Sequence, residues 1–212
     1  MMLSRRSMLM LVPGCGAAGV AARLGRLVPT ASAQTTANEA DRESERSSGS
    51  PNAKVTVMEF FSLTCTHCAS FARETMPEVE KNLIQPGKVR FVYRDFPLDQ
   101  VALTAAMVAR YLPPPQYYPF VTALLAAQDR WAFARGINST DEIWKMAALA
   151  GMSRETFDKA IADNALRTWI LQQQQADQDR WKIDSTPSFV INGQKYSGEM
   201  SYDAFRKLIP EV

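Results

Sequence analysis

The sequence predicts an α/β fold whose elements run βαβ, then a block of helices, then ββα. Three observations carry this. The apolar run Val55–Phe61 and the alternating segment Lys88–Arg94 flank a stretch whose apolar residues recur at helical spacing. From Leu98 to about Trp181 only helical patterns appear. Strand character then returns at Ser188-Phe189-Val190-Ile191, just before Asn192-Gly193, a strong two-residue hairpin signal.

In chain order, a strand at 54–62 leads into a helix from Cys65 to about Ile84, with Phe71, Thr75/Met76, Val79 and Leu83 on one face. Pro77 is expected to kink that helix, and Pro86-Gly87 to end it. The strand at 88–94 should run parallel to the first, joined by a right-handed crossover. A helix over Val101–Leu112 is expected to stop at Pro113-Pro114-Pro115, with another from Phe120 to about Asp129. Ser139-Thr140-Asp141-Glu142 reads as a capping box opening Ile143–Ala150, with Gly151 as the C-terminal cap. Ser153 caps a helix through Ile161, and the last of the block runs from about Ala165 to Trp181. Trp131, Trp144, Met146 and Trp169 read as core, and Gln172–Gln175 as a solvated helix face. After the hairpin, Ser201 caps a closing helix through Ile209. The fold therefore divides into an α/β domain from 51–97 and 183–212 and a helical insertion over 98–182.

The chain is 212 residues long, enough for one sizeable core with an inserted subdomain. Residues 1–33 read as an export signal: Arg5-Arg6, an apolar stretch from Met8 to Ala22, then Ala31-Ser32-Ala33 as a small-residue cleavage site. Ser4-Arg5-Arg6-Ser7-Met8-Leu9 resembles a twin-arginine signal, a Sec signal being the alternative. Val12-Pro13-Gly14-Cys15 is a poor lipoprotein box, because proline sits inside it. Setting that segment's four arginines aside from the 24 basic residues leaves 20 against 22 acids, a net charge of −2. So weak a balance, without a basic stripe interleaved with aromatics, argues against nucleic acid. Residues 34–50 hold no large apolar side chain and are expected to be a disordered tether, with order beginning near Pro51. With Cys15 removed, the pair Cys65 and Cys68 remains, in a compartment where disulfides persist.

Cys65-Thr66-His67-Cys68 directly follows the first strand, at the expected first turn of a helix. Unpaired N–H groups and partial positive charge there favour an anion, so Cys65 should ionise more easily than a free cysteine. A zinc half-site is the competing reading. It fails on ligand count, because the mature chain offers only Cys65, Cys68 and His67, too close together to close a tetrahedron. A purely structural disulfide of such short span would stabilise the fold little. A redox pair is the reading that remains. Ser185-Thr186-Pro187-Ser188 lies at the entry to the third strand, where Pro187 reads as a cis-proline facing the cysteines. The Thr186 backbone would then pair with an extended peptide substrate. Glu59, a carboxylate within an apolar strand, either points to water or lies inward beneath Cys68, where a raised pKa would let it relay that thiol's proton.

Glu59-Phe60-Phe61-Ser62, Cys65-x-His67-Cys68 and Thr186-Pro187-x-Phe189-Val190-Ile191-Asn192-Gly193 together resemble the DsbA-like thiol:disulfide oxidoreductases, from about Pro51 to Ile209. The resemblance implies a thioredoxin fold interrupted by a helical domain. It makes Cys65 the exposed nucleophile, Cys68 its buried partner, His67 the dipeptide histidine, Glu59 the buried acid and Pro187 the cis-proline. Two positions depart from the pattern: Thr66 stands where many members have proline, and Thr186 where the best-known oxidases have valine.

Together with the export signal, the resemblance implies a periplasmic oxidase that introduces disulfides into exported polypeptides, without metal or cofactor, reoxidised by a quinone-linked membrane partner. A monomer is expected, because isomerases of this fold carry a dimerisation domain and only a short polar tether precedes Pro51. The alternatives are a disulfide isomerase or reductase on the same fold, which Thr186 keeps open, and a peptide-binding chaperone with incidental cysteines.

Overall fold

A computed structural model describes residues 36–211. The signal-like segment 1–33 and Cys15 lie outside the described residues. Strand β2 (Val55–Phe61) occupies the middle of a five-stranded sheet because its side chains are apolar on both faces. It pairs in parallel with β3 (Val89–Asp95), Val55 opposite Val89 and Phe61 opposite Asp95. On its other edge it pairs antiparallel with β4 (Ser188–Ile191), Val57 opposite Ile191. The hairpin strand β5 (Gln194–Ser197) closes that side through the Asn192-Gly193 turn, both residues at positive φ.

The segment expected to be a disordered tether is ordered from Ala37 onward. Asn38 and Asp41 form a reciprocal capping box for helix α1 (Glu39–Glu43), and β1 (Arg46–Ser48) adds antiparallel to β3 as the fifth strand. The anchor is Arg110. Its guanidinium donates to the Arg42 and Ser44 carbonyls at 2.8 and 3.1 Å and to Asp95 Oδ2 at 2.5 Å. Tyr117 donates to the other Asp95 oxygen at 2.8 Å. Small polar residues can therefore be held by backbone hydrogen bonds to a buried ion pair, which a composition argument cannot detect.

The helix after β2 is broken into α2 (Thr66–Glu74), α3 (Met76–Val79) and a π-helical turn at 80–84. The break falls at Thr75, before Pro77, whose ring cannot continue the preceding hydrogen-bond ladder. The insertion comprises α4 (Gln100–Tyr111), α5 (Pro114–Ala126), α6 (Gln128–Trp131), α7 (Ser139–Leu149), α8 (Arg154–Ala162) and α9 (Asn164–Trp181). Helix α5 starts six residues before the expected Phe120, because Pro114 and Pro115 sit at its first turn, where a missing N–H is no loss. Helix α7 likewise starts earlier than expected, with Asn138 as its cap. Helix α10 (Tyr202–Leu208) closes the chain, capped by Ser201.

Phe71 of α2, Phe91 of β3, Phe189 of β4 and Phe205 of α10 meet with ring centroids 4.7–6.5 Å apart. This cluster seats α2 on the sheet and so fixes the direction of its N-terminus. On the insertion side, Arg94 Nε of β3 donates to Asp177 Oδ2 of α9 at 2.9 Å.

Arg110→Ala strands Asp95 as a buried, unpaired charge and removes the anchor of β1. The expected loss is about 3–5 kcal/mol. A urea midpoint within about 1 kcal/mol of the parent would show that the pair does not hold the N-terminal segment.

Candidate active site

Cys65 is the N-cap of α2, with extended backbone (φ −82°, ψ 118°). Its sulfur stands where a capping oxygen would stand, 3.4 Å from the Cys68 N–H. The Cys65 thiol donates to the Thr186 carbonyl at 3.2 Å, and the Thr186–Pro187 peptide is cis. The two expected halves of the site, 121 residues apart in sequence, are thus in direct contact. Both cysteines are unbonded thiols in this structure.

The two sulfurs have opposite tendencies. Cys65 is pulled down to about 5, chiefly by a hydrogen bond from the Cys68 side chain; burial opposes this. The backbone N–H groups of Cys68 and His67 add to the lowering. Cys68 is pushed up, first by burial and then by its bond to Cys65 and the neighbouring Glu59. One helical turn therefore separates a sulfur that holds negative charge from one that holds a proton.

Cys65 departs from the expectation of an exposed nucleophile. It is 8% exposed against 0% for Cys68, and its sulfur lies against the Thr186 carbonyl. Glu59 lies inward, 6% exposed, opposite Tyr93 and Phe189 in the sheet. Burial, then the charge of Cys65, raises its pKa to about 8, so it holds its proton at neutral pH. Thr66 and His67 point outward from the first turn of α2. The His67 imidazole is paired with a carboxylate. Its Nδ1 lies 3.1 Å from Glu199 Oε1, and only its backbone N–H serves Cys65.

Three further residues shape the site, and the motifs did not single them out. The Gln128 amide donates to the Leu63 and Cys65 carbonyls at 2.7 and 3.0 Å, bracing the active-site loop from the insertion. Asp99 accepts from Thr64 Oγ1 at 2.6 Å while capping α4 through the Ala102 N–H. Glu199 holds His67. Only Asp99 had a local signal, as a capping residue before a helical pattern; the others are set by contacts far along the chain. No group of His, Cys, Asp or Glu suited to a metal occurs among the described residues.

The sequence matches the thioredoxin family over residues 41–211, and the chain belongs to that family. Its helical insertion makes it DsbA-like. Alpha-DsbA1 of Wolbachia pipientis is 28% identical and superposes with a TM-score of 0.72, covering 78% of this chain and 88% of that one. A protein-disulfide isomerase of Novosphingobium aromaticivorans is 25% identical, with a TM-score of 0.69 over 78% of this chain and 95% of its own. A Rickettsia felis protein designated a protein-disulfide oxidoreductase is 27% identical over 165 residues, 77% of this chain. The chain spans only 58% of that relative's length.

Thiolate absorbance of the reduced protein should rise with a midpoint near pH 5, and Cys65→Ser should abolish that transition. A midpoint near that of free cysteine, about 8.5, would remove the electrostatic account. The unfolded chain keeps this proton up to about 9 while the folded one releases it near 5, so folding releases a proton between them. Stability of the dithiol form relative to the disulfide form should therefore rise with pH across that window and level off above it. The comparison sets aside Glu59, which both forms carry. Gln128→Ala should cost about 1–3 kcal/mol, from two buried carbonyls losing their donor, with faster hydrogen exchange in residues 62–65. Unchanged exchange there would show that the loop does not need this brace.

Proposed function

We propose that the protein is an exported thiol:disulfide oxidoreductase that oxidises dithiols of other exported polypeptides through Cys65 and Cys68. The observation that carries this reading is the opposite proton affinity of the two sulfurs beside the Thr186–Pro187 loop.

The cycle begins with the Cys65–Cys68 disulfide. A substrate thiolate attacks Cys65 Sγ, the S–S bond breaks, and its electron pair goes to Cys68. Cys68 cannot rest as an anion in its buried position, so it takes a proton, for which Glu59 is a neighbouring buried acid that holds one at neutral pH. A second substrate thiolate then attacks the substrate sulfur of the mixed disulfide, and Cys65 leaves as the stabilised thiolate. The substrate has lost two electrons and gained a disulfide; the enzyme has gained both electrons as a dithiol. Stabilising the leaving thiolate stabilises the reduced enzyme, which makes its disulfide a strong acceptor.

Thr186 offers its backbone beside Cys65, where an extended substrate segment can pair in the manner of an added strand. Return to the disulfide needs an external two-electron acceptor, for which a quinone-linked membrane oxidase has the right chemistry. Export to the periplasm rests on residues 1–33, where the arginine pair, apolar stretch and Ala31-Ser32-Ala33 stand in order. Action as a monomer is part of the same reading. Disulfide isomerisation on this site is the second reading, favoured by the Novosphingobium isomerase's similar fold and by Thr186 at the loop.

Equilibration with glutathione separates the two. DsbA and thioredoxin, at about −120 and −270 mV, bracket the scale, with protein disulfide isomerase at about −180 mV between them. The expected value lies nearer the first; one at or below the isomerase figure would transfer the assignment to the second reading. Oxidation of a reduced test protein should also disappear in Cys65→Ser, and its persistence would end the catalytic assignment altogether.

A further inference from the structure

The loop between β5 and α10 is tied to the catalytic helix at several points. Gly198, at φ +90°, donates its N–H to the Pro187 carbonyl at 2.8 Å. Thr75 Oγ1 at the end of α2 donates to the Met200 carbonyl at 2.7 Å. Glu199 lies between these two anchors, so its backbone position is fixed by the cis-proline loop on one side and by α2 on the other. Its carboxylate lies 3.1 Å from His67 Nδ1, and this neighbour holds the carboxyl below its usual range.

His67 is two residues from Cys65 in the first turn of α2, and its backbone N–H already serves the sulfur. Its side chain is a rotatable donor, and in this structure the group that takes it up is Glu199. The imidazole is the chain's one histidine side chain and the motif's one imidazole donor, yet the stabilisation of the Cys65 thiolate comes from Cys68 and backbone N–H groups.

We propose that Glu199 is a positioning residue that sets the oxidising strength of the site by holding the His67 imidazole away from Cys65. The carboxylate and the sulfur compete for one donor. With Glu199 in place the thiolate lacks that donor, the dithiol form is less favoured, and the disulfide is a milder oxidant than the same motif would otherwise make. This role deepens the proposed oxidoreductase function and rests on the same cysteine pair.

The test compares Glu199→Ala, Glu199→Gln and His67→Ala with the combination His67→Ala/Glu199→Ala in the full chain. Glu199 is an exposed loop residue, so these variants are expected to fold, and urea midpoints check that they do. The measured quantities are the equilibrium constant for exchange with glutathione and the midpoint of thiolate absorbance. Exposed ion pairs are worth up to about a fivefold change in an equilibrium constant, which sets the scale. Glu199→Ala should raise the constant for reduction about two- to fivefold and lower the thiolate midpoint. Glu199→Gln, which keeps an acceptor for the imidazole but not the charge, should fall between it and the parent. In the His67→Ala background, removal of Glu199 should change the constant by less than about twofold.

Two results overturn the proposal. An unchanged or lower constant in Glu199→Ala means that the imidazole is not being withheld. An equal rise with and without His67 means that the carboxylate acts on the sulfur directly. Exchange with glutathione is a property of the cysteine pair whatever its protein substrates, so this comparison decides the role of Glu199 even if the oxidase assignment fails.

Discussion

Negative charge on one sulfur at the end of α2 is the constraint around which the rest of the site is built. A thiolate buried to this degree would ordinarily recover its proton. Here a thiol and two backbone N–H groups converge on it, and together they outweigh burial. One helical turn away the same burial acts on Cys68 without those donors and pushes it in the opposite direction. Glu59 follows the same rule: a carboxyl beneath the pair, without a charge partner, stays protonated. The asymmetry on which exchange chemistry depends thus arises from where donors are placed around three similar, poorly solvated groups.

Those donors stay in place because three parts of the chain converge on residues 62–65. The aromatic cluster around Phe71 sets the direction of α2, and the cis-proline loop arrives from the far side of the insertion. The insertion supplies Gln128 and Asp99. It is not an appendage beside the cysteines, since its side chains complete the hydrogen bonding of the loop that presents them. The same logic holds at the N-terminus, where Arg110 of α4 carries hydrogen bonds from residues before β1 to Asp95 at the end of β3.

The strands and the helix order were legible because hydrophobic periodicity and turn residues are local signals. Val55–Phe61 reads as a buried strand, and Asn192-Gly193 as a tight hairpin, from a few residues each. The nature of the site was legible for the same reason, since Cys65-x-x-Cys68 after a strand and Thr186-Pro187 before one carry their chemistry in their spacing. The structure departs from these expectations where the deciding partner is distant. Residues 38–48 look like a tether until Arg110 and β3 are beside them. Pro114 and Pro115 look like a stop until the next helix is seen to begin on them.

Residue type and spacing were enough to establish the chemistry available: two cysteines one turn apart, an acid in a buried strand, a proline at a strand entry and a single histidine. Such signals act over one or two turns of chain. Three-dimensional packing was needed to decide which donors reach which sulfur, that His67 faces Glu199, and that Gln128 braces the loop. The Gln128–Cys65 and His67–Glu199 contacts join residues 63 and 132 positions apart, and a hydrogen bond that fades within a fraction of an ångström cannot be read from patterns that specify position only to the nearest turn.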